Sequence, residues 1–152
     1  MTIEELLEIE EIKLLRVMYS HHFDGGQLDQ LANLFTEDAV CEFTEEYGGN
    51  WVGRDTIKAN YARYATPDRP FSFMHANTNP WIRLLSPTEA NGRWYLLDLT
   101  LREGVESPLG LFGVYDDVYR KVDGKWLIAR TRIDFLWPNR SFFGFRSPGV
   151  NG

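Results

Sequence analysis

Few side chains in this sequence can move a proton near neutral pH, and the useful ones fall in three stretches. The chain has three histidines, His21, His22 and His75, and imidazole is the side chain whose ordinary titration lies closest to neutrality. His21 and His22 are adjacent on one helical segment and point in different directions, so both read as mainly structural. His75 lies in FSFMHANTN, where a period of two puts Phe71, Phe73, His75, Asn77 and Asn79 on one strand face. Asp24 follows Tyr19 and Phe23 at the end of the first helix, just before Gly25-Gly26. An acid there faces the negative end of the helix dipole, an unfavourable place for its charge, although an Asp before two glycines is also ordinary turn chemistry. Asp98 sits inside RWYLLDLTLR, on a face with Trp94, Leu96 and Thr100. A carboxylate in an apolar strand is costly unless paired or neutral, so Asp98 calls for an Arg, a Tyr or the histidine beside it. An Asp that fixes the tautomer of a His makes a general base, and a nearby Tyr can polarise a carbonyl or protonate a leaving group.

The elements that must position these groups follow from hydrophobic periodicity. Thr2 and Glu5 form a capping-box pattern opening a helix that runs to about Phe23. Its apolar face is read as Ile3, Leu6, Leu7, Ile9, Ile12, Leu14, Leu15, Met18 and Tyr19, with Glu10, Glu11, Lys13 and Arg16 on the other. A second helix is predicted from Asp29 to Phe35 and a strand from Ala39 to Thr44. Trp51 to Gly53 forms a short return strand, and a third helix from Thr56 to Tyr64 has Ile57, Tyr61 and Tyr64 on one face. Phe71 to Leu85 reads as a strand that Pro80 assigns to an edge or a bulge. A turn over Pro87 to Asn91 precedes the strand Arg93 to Arg102. Leu109 to Lys121 and Trp126 to Phe135 flank an Asp123-Gly124 hairpin turn, and Arg130 and Arg132 are read on the face of Trp126, Ile128 and Asp134. Helices first and antiparallel strands after them give an α+β domain, with helices over one side of a curved sheet and a pocket between the layers.

Composition narrows the function classes. A chain of 152 residues with 43% hydrophobic content is expected to be one domain over residues 1–135. Residues 136–152 form an aromatic tail whose Trp137, Phe142, Phe143 and Phe145 are expected to cover the pocket or a subunit interface. One cysteine, Cys41, allows no internal disulfide, and no Cys/His cluster has metal-ligand spacing, so no metal and no organic cofactor is expected. A net charge of −6 argues against nucleic acid. The acidic start lacks the features of a signal peptide and no run spans a bilayer, so no membrane association and a cytoplasmic location are expected. Five Trp, seven Tyr and ten Phe exceed the needs of a core this size, and they suit an apolar cavity for a flat hydrophobic small molecule. Phe43, Trp51, Phe73, Trp94 and Tyr115 are the expected wall.

The helix followed by LFTEDAV, WVGRDTI, the FSFMHANTN strand and the closing VYDDVYRKVDGKWLIAR hairpin resembles the SnoaL-like branch of the nuclear transport factor 2-like superfamily. The similarity runs to about Phe135. It implies a cone-shaped, cystatin-like α+β barrel with a mixed sheet. Within that branch the sequence is most similar to the scytalone dehydratase, bile acid 7α-dehydratase and hexachlorocyclohexane dehydrochlorinase group. That resemblance implies proton abstraction by Asp24 and His75, with Tyr19, Asp98 and Arg132 as the further site residues, Arg130 or Arg140 being alternatives to Arg132. It also implies a homo-oligomer, with a trimer favoured. The expected activity is a cofactor-independent elimination, dehydratase-like, on an aromatic or polycyclic compound. Carbon–carbon cleavage of a lignin-type diaryl compound, ketosteroid-type isomerisation and a non-catalytic binding or assembly role are the alternatives.

Overall fold

The computed structural model describes residues 1–43, 45–65, 72–101, 103–104 and 106–138. Phe71, Arg140, Phe142, Phe143 and Phe145, and with them most of the expected tail, lie outside the described residues. Helix α1 (Ile3–Asp24) opens on the expected capping box. Glu5 N–H donates to Thr2 Oγ1 at 3.1 Å while the Glu5 carboxylate accepts from Thr2 N–H at 2.8 Å. It ends at Gly25-Gly26, the second glycine in the left-handed region at φ 67°. There follow α2 (Leu28–Ala32), β1 (Phe35–Glu42), a 3-10 turn, β2 (Asn50–Val52) and α3 (Arg54–Tyr61), then β3 (Ser72–Ser86), β4 (Glu89–Leu101), β5 (Leu109–Val122) and β6 (Lys125–Trp137).

The six strands form one curved sheet in the order β2-β1-β6-β5-β4-β3, with β1 parallel to β6 and every other pair antiparallel. β3 is therefore an edge, and its register shifts between Thr78 and Trp81, around Pro80. Several boundaries differ from the periodicity reading, two of them for a reason visible in the pairing. Phe35 belongs to β1, because it pairs with Ile128 of β6 and is wholly buried, so tertiary pairing overrides local helix preference. β4 starts at Glu89, before the expected turn has ended, since Asn91 and Gly92 pair with both β3 and β5. A Cβ on Gly92 would lie 2.7 Å from Ile82 Cδ1 and 2.8 Å from the Tyr119 ring. That strand position therefore has no room for a side chain.

Helix α1 lies on the concave side with Ile12, Leu15, Arg16, Tyr19, Ser20 and Phe23 buried. The expected apolar face is only half right. Ile3, Leu6, Leu7 and Leu14 are exposed, and Arg16 is wholly buried, on the opposite side of the helix from its assigned face. Arg16 enters the core because Asp117 of β5 meets it there: Nε and Nη2 donate to the two carboxylate oxygens at 3.1 and 2.5 Å, and Nη2 also donates to Thr131 Oγ1 at 2.9 Å. Tyr119 Oη donates to Asp117 at 2.7 Å and accepts from Trp94 Nε1 at 3.0 Å.

A one-residue bulge in β6 corrects the expected position of Arg132. The register moves from Tyr119↔Ile128 to Val118↔Arg130, so Ala129 is an extra residue. A slip of one residue exchanges the two faces of a strand. Trp126 and Ile128 point inward before it, and Thr131, Ile133 and Phe135 point inward after it. Arg130, Arg132 and Asp134 are left on the convex face. There Arg93, Arg130 and Arg132 converge on Asp116 at 3.4, 3.3 and 3.3 Å.

Removing one partner of a buried ion pair leaves an uncompensated charge. Asp117→Ala is expected to lower stability by about 3–5 kcal/mol, measured by urea denaturation. A loss under about 1 kcal/mol would mean that Arg16 is solvated in solution.

Candidate active site

The site is built where the end of α1 meets the free edge of the sheet. His75 and Asp98 are cross-strand partners on β3 and β4. Because β3 is an edge strand, the His75 backbone N–H points away from β4, and Asp24 Oδ2 accepts it at 3.0 Å. This makes His75 and Asp98 a non-hydrogen-bonded pair, the arrangement that brings opposed side chains closer. Asp24 Oδ1 lies 2.6 Å from His75 Nδ1. A carboxylate can only accept here, so Nδ1 carries the hydrogen and Nε2 is left as the basic nitrogen. Nε2 lies 3.7 Å from Asp98 Oδ2, beyond hydrogen-bond length. The Phe23 ring closes against the imidazole, 4.4 Å between centroids. Next to it, Asn77 of the same β3 face donates to Ser20 of α1 at 2.5 Å, so the helix and strand are joined at two points.

Asp98 has its carboxyl held above the ordinary carboxylate range, first by burial and then by the negative charge of Asp24, against the opposing pull of His75. Its Oδ1 is buried and makes no hydrogen bond among the described residues. The other oxygen, Oδ2, is the one turned towards His75 Nε2.

His75, Asp98 and Phe23 lie on the wall of a cavity of about 520 Å³, with Asp24 behind the imidazole and not on the wall itself, and the volume is within the size range of small-molecule sites. Of the residues expected to form its wall, Phe43, Trp51, Phe73 and Tyr115 do so, as do Tyr19, His75 and Asp98. Trp94 shares the inward face of β4 but lies deeper, bonded to Tyr119, and does not reach the cavity. Neither Arg132 nor Arg130 reaches it, because of the bulge at Ala129.

Sequence reasoning did not single out Phe23, Tyr61, Tyr47, Phe135 or Leu96 as wall residues, all of which line the cavity. Tyr61 was legible as part of the apolar face of α3, and Phe23 as the residue one turn beyond Tyr19. The Tyr19 and Tyr61 hydroxyls are 2.8 Å apart, both wholly inside the protein, and Tyr115 interacts with Tyr19 as well. Burial pushes the Tyr19 phenol up to about 12, and it also raises Tyr61 and Tyr115. All three are neutral donors at physiological pH.

A curved mixed sheet wrapped around an apolar cavity, with helices over its concave side, defines a cystatin-like α+β fold. Residues 4–132 match the model of the SnoaL-like domain, and the chain belongs to that family, within the nuclear transport factor 2-like superfamily. A provisionally named scytalone dehydratase from Novosphingobium aromaticivorans is similar over 100% of this chain and 99% of its own, at 31% identity and TM-score 0.79. A Mycobacterium tuberculosis protein of unknown function is 25% identical, with TM-score 0.78, over 92% of this chain and 79% of its own. A Nostoc punctiforme protein with a cystatin-like fold shares the fold at 22% identity and TM-score 0.72, over 87% of this chain and 93% of its own.

The raised Asp98 carboxyl has a thermodynamic signature. The folded protein holds this proton more tightly than the unfolded chain does. Its contribution is therefore full below the ordinary value of 3.8 and is lost as pH rises through the folded value. Asp98→Asn removes that loss, so the variant is expected to melt higher than wild type at pH 7 and to lose this advantage towards pH 4. Thermal melts across that range check it, and a variant that is less stable at pH 7 would contradict the assignment.

Proposed function

We propose that the protein is a cofactor-independent lyase that eliminates water from a neutral, flat, hydrophobic carbonyl or phenolic compound. The observation that supports this most is His75 held between two carboxylates at unequal distance, 2.6 Å to Asp24 and 3.7 Å to Asp98, on the wall of an apolar cavity. Asp24 orients the ring and stabilises the imidazolium, so that Nε2 can take a proton from carbon. The electrons of that C–H bond form the new double bond and the adjacent C–O bond breaks. The departing oxygen takes the proton of Asp98 and leaves as water. Return of the His75 proton to Asp98, directly or through that water, resets the site. Base and acid stand on neighbouring strands of one wall, which favours loss of hydrogen and hydroxyl from the same face of the substrate.

In the Tyr19–Tyr61 pair one hydroxyl donates to the other, and the remaining hydrogen is the donor for an oxygen conjugated with the reacting carbon, where charge grows as the proton leaves. Among the described residues no Lys or Arg lines the cavity. A carboxylate or phosphate substrate would enter without a counter-charge, so the reading is confined to neutral molecules. The similarity to a provisionally named scytalone dehydratase supports the same class.

The test is turnover of a panel of neutral β-hydroxy aryl ketones, followed by the absorbance of the conjugated product and by mass. His75→Asn is expected to lose about 100- to 10,000-fold in kcat. Asp24→Asn is expected to lose less, because the ring keeps Nε2 but loses its counter-charge. Exchange of substrate hydrogen in D₂O with double-bond migration and no loss of water would replace elimination by isomerisation. Release of formaldehyde from hydroxymethyl substrates would replace it by carbon–carbon cleavage. Binding without turnover or exchange would leave a binding module.

A further inference from the structure

Behind the cavity wall lies a charge that the proposed acid/base pair does not use. Arg16 is wholly buried yet lines no part of the cavity. Its guanidinium carbon sits 4.5 Å from the centroid of the Tyr19 ring and 4.0 Å from that of Tyr115, close enough for cation–π attraction to both. Both tyrosines line the cavity. Nε and Nη2 are taken up by Asp117 and Thr131, while Nη1 is buried without a hydrogen bond among the described residues. The negative end of the pair is drawn the other way, since Asp117 also accepts from Tyr119, which accepts in turn from Trp94. The pair is thus a buried dipole with its positive end against the tyrosines. Stability alone is a poor reason for it, because a buried ion pair is often no better than apolar residues of the same volume.

We propose that Arg16 is a positioning residue that turns the Tyr61–Tyr19–Tyr115 cluster into a receptor for a substrate oxygen that gains negative charge. The inference rests on reading the cavity as a proton-abstraction site, and it adds that the substrate must present a phenol or enolisable carbonyl oxygen to these tyrosines. Charge passed from that oxygen into the phenols meets the guanidinium across the rings. The ionisable groups that act on the cluster are Arg16 on α1, Cys41 on β1 and Asp98 on β4, while Asp117 and Tyr119 on β5 act on Arg16 from behind. Of these Arg16 is the one cation. It acts against the burial that holds Tyr19 and Tyr115 neutral, whereas Asp98 acts with that burial at Tyr115.

The probe is 2-naphthol, a flat phenol whose neutral and ionised forms differ in absorbance and fluorescence, with 2-methoxynaphthalene as its non-ionisable control. Bound to wild type, naphthol is expected to ionise more readily than in water, by about tenfold in its ionisation constant. Arg16→Met combined with Asp117→Asn removes the dipole without leaving an orphan charge, and should abolish that gain while 2-methoxynaphthalene binds as before. Arg16→Lys keeps Asp117 paired but loses the planar stack, and should retain only part of the gain. It decides the matter if the double variant does not fold. Unchanged naphthol ionisation in either folded variant, or no binding of naphthol to wild type, overturns the proposal. The readout needs no turnover and is taken in His75→Asn as well. A failed elimination assay with Arg16-dependent ionisation therefore sinks the reaction, and the reverse sinks the role of Arg16.

Discussion

Helix α1 cannot slide on the sheet, and the site depends on that. Polar bonds pin it along its length to different strands. Glu8 accepts from Lys121 of β5 and from Trp126 of β6. Arg16 donates to Asp117 and Thr131, Ser20 accepts from Asn77 of β3, and Asp24 accepts from both the backbone and the ring of His75. Apolar packing alone tolerates a shift of one turn, about 5.4 Å, which would carry Asp24 out of reach of His75. The hydrogen bonds make one register better than its neighbours, because every alternative would leave buried donors and acceptors unpaired. The outcome is a histidine whose ring is oriented by a helix and which faces a carboxyl on the adjacent strand.

That arrangement explains which parts of the site could be read from sequence. The face shared by Phe73 and His75, and the face of Leu96, Asp98 and Thr100, followed from a period of two because the β3–β4 register is unbroken there, the irregularity beside Asp98 adding its extra residue, Gly110, to β5. Their cross-strand alignment is what brings His75 to Asp98. The same rule failed in β6, where Ala129 adds one residue and sends Arg130 and Arg132 to the convex side. A bulge carries no signature in RTRIDF, and the partner strand that reveals it is visible only in the fold. The helix boundaries moved for a related reason: Phe35 has the local look of a helix end, and its pairing with Ile128 decides otherwise.

Arg16 was misplaced because an arginine on an amphipathic helix is normally on the wet side. The signal that contradicts this lies a hundred residues away, in YDDVY. Consecutive aspartates in an apolar strand must face opposite sides, so one of them has to be inside and in need of a cation. Asp116 takes three arginines on the convex face and Asp117 takes Arg16 on the concave one. Reading the acids of β5 before the cations of α1 would have found the pair.

The distribution of charge also bears on what kind of reaction the cavity can host. Each inward cation is neutralised behind the wall, so the surface facing a ligand is apolar except for His75, Asp98, the phenols and a few hydroxyls. With no Lys or Arg among its described lining residues, the wall offers an anionic substrate no direct counter-charge from those side chains. Phenols differ from cations in that they bind a neutral oxygen modestly and a charged one strongly, since the bond to an ionised acceptor is shorter and about twice as strong. Under the proposed reaction, a wall of this composition would favour the charged state formed during proton transfer over the neutral molecule that enters. That is the differential binding on which acceleration of a chemical step depends. It also explains why burial of the tyrosines is an advantage: a phenol that stays protonated remains a donor, and one with no water beside it gives that hydrogen bond to the ligand.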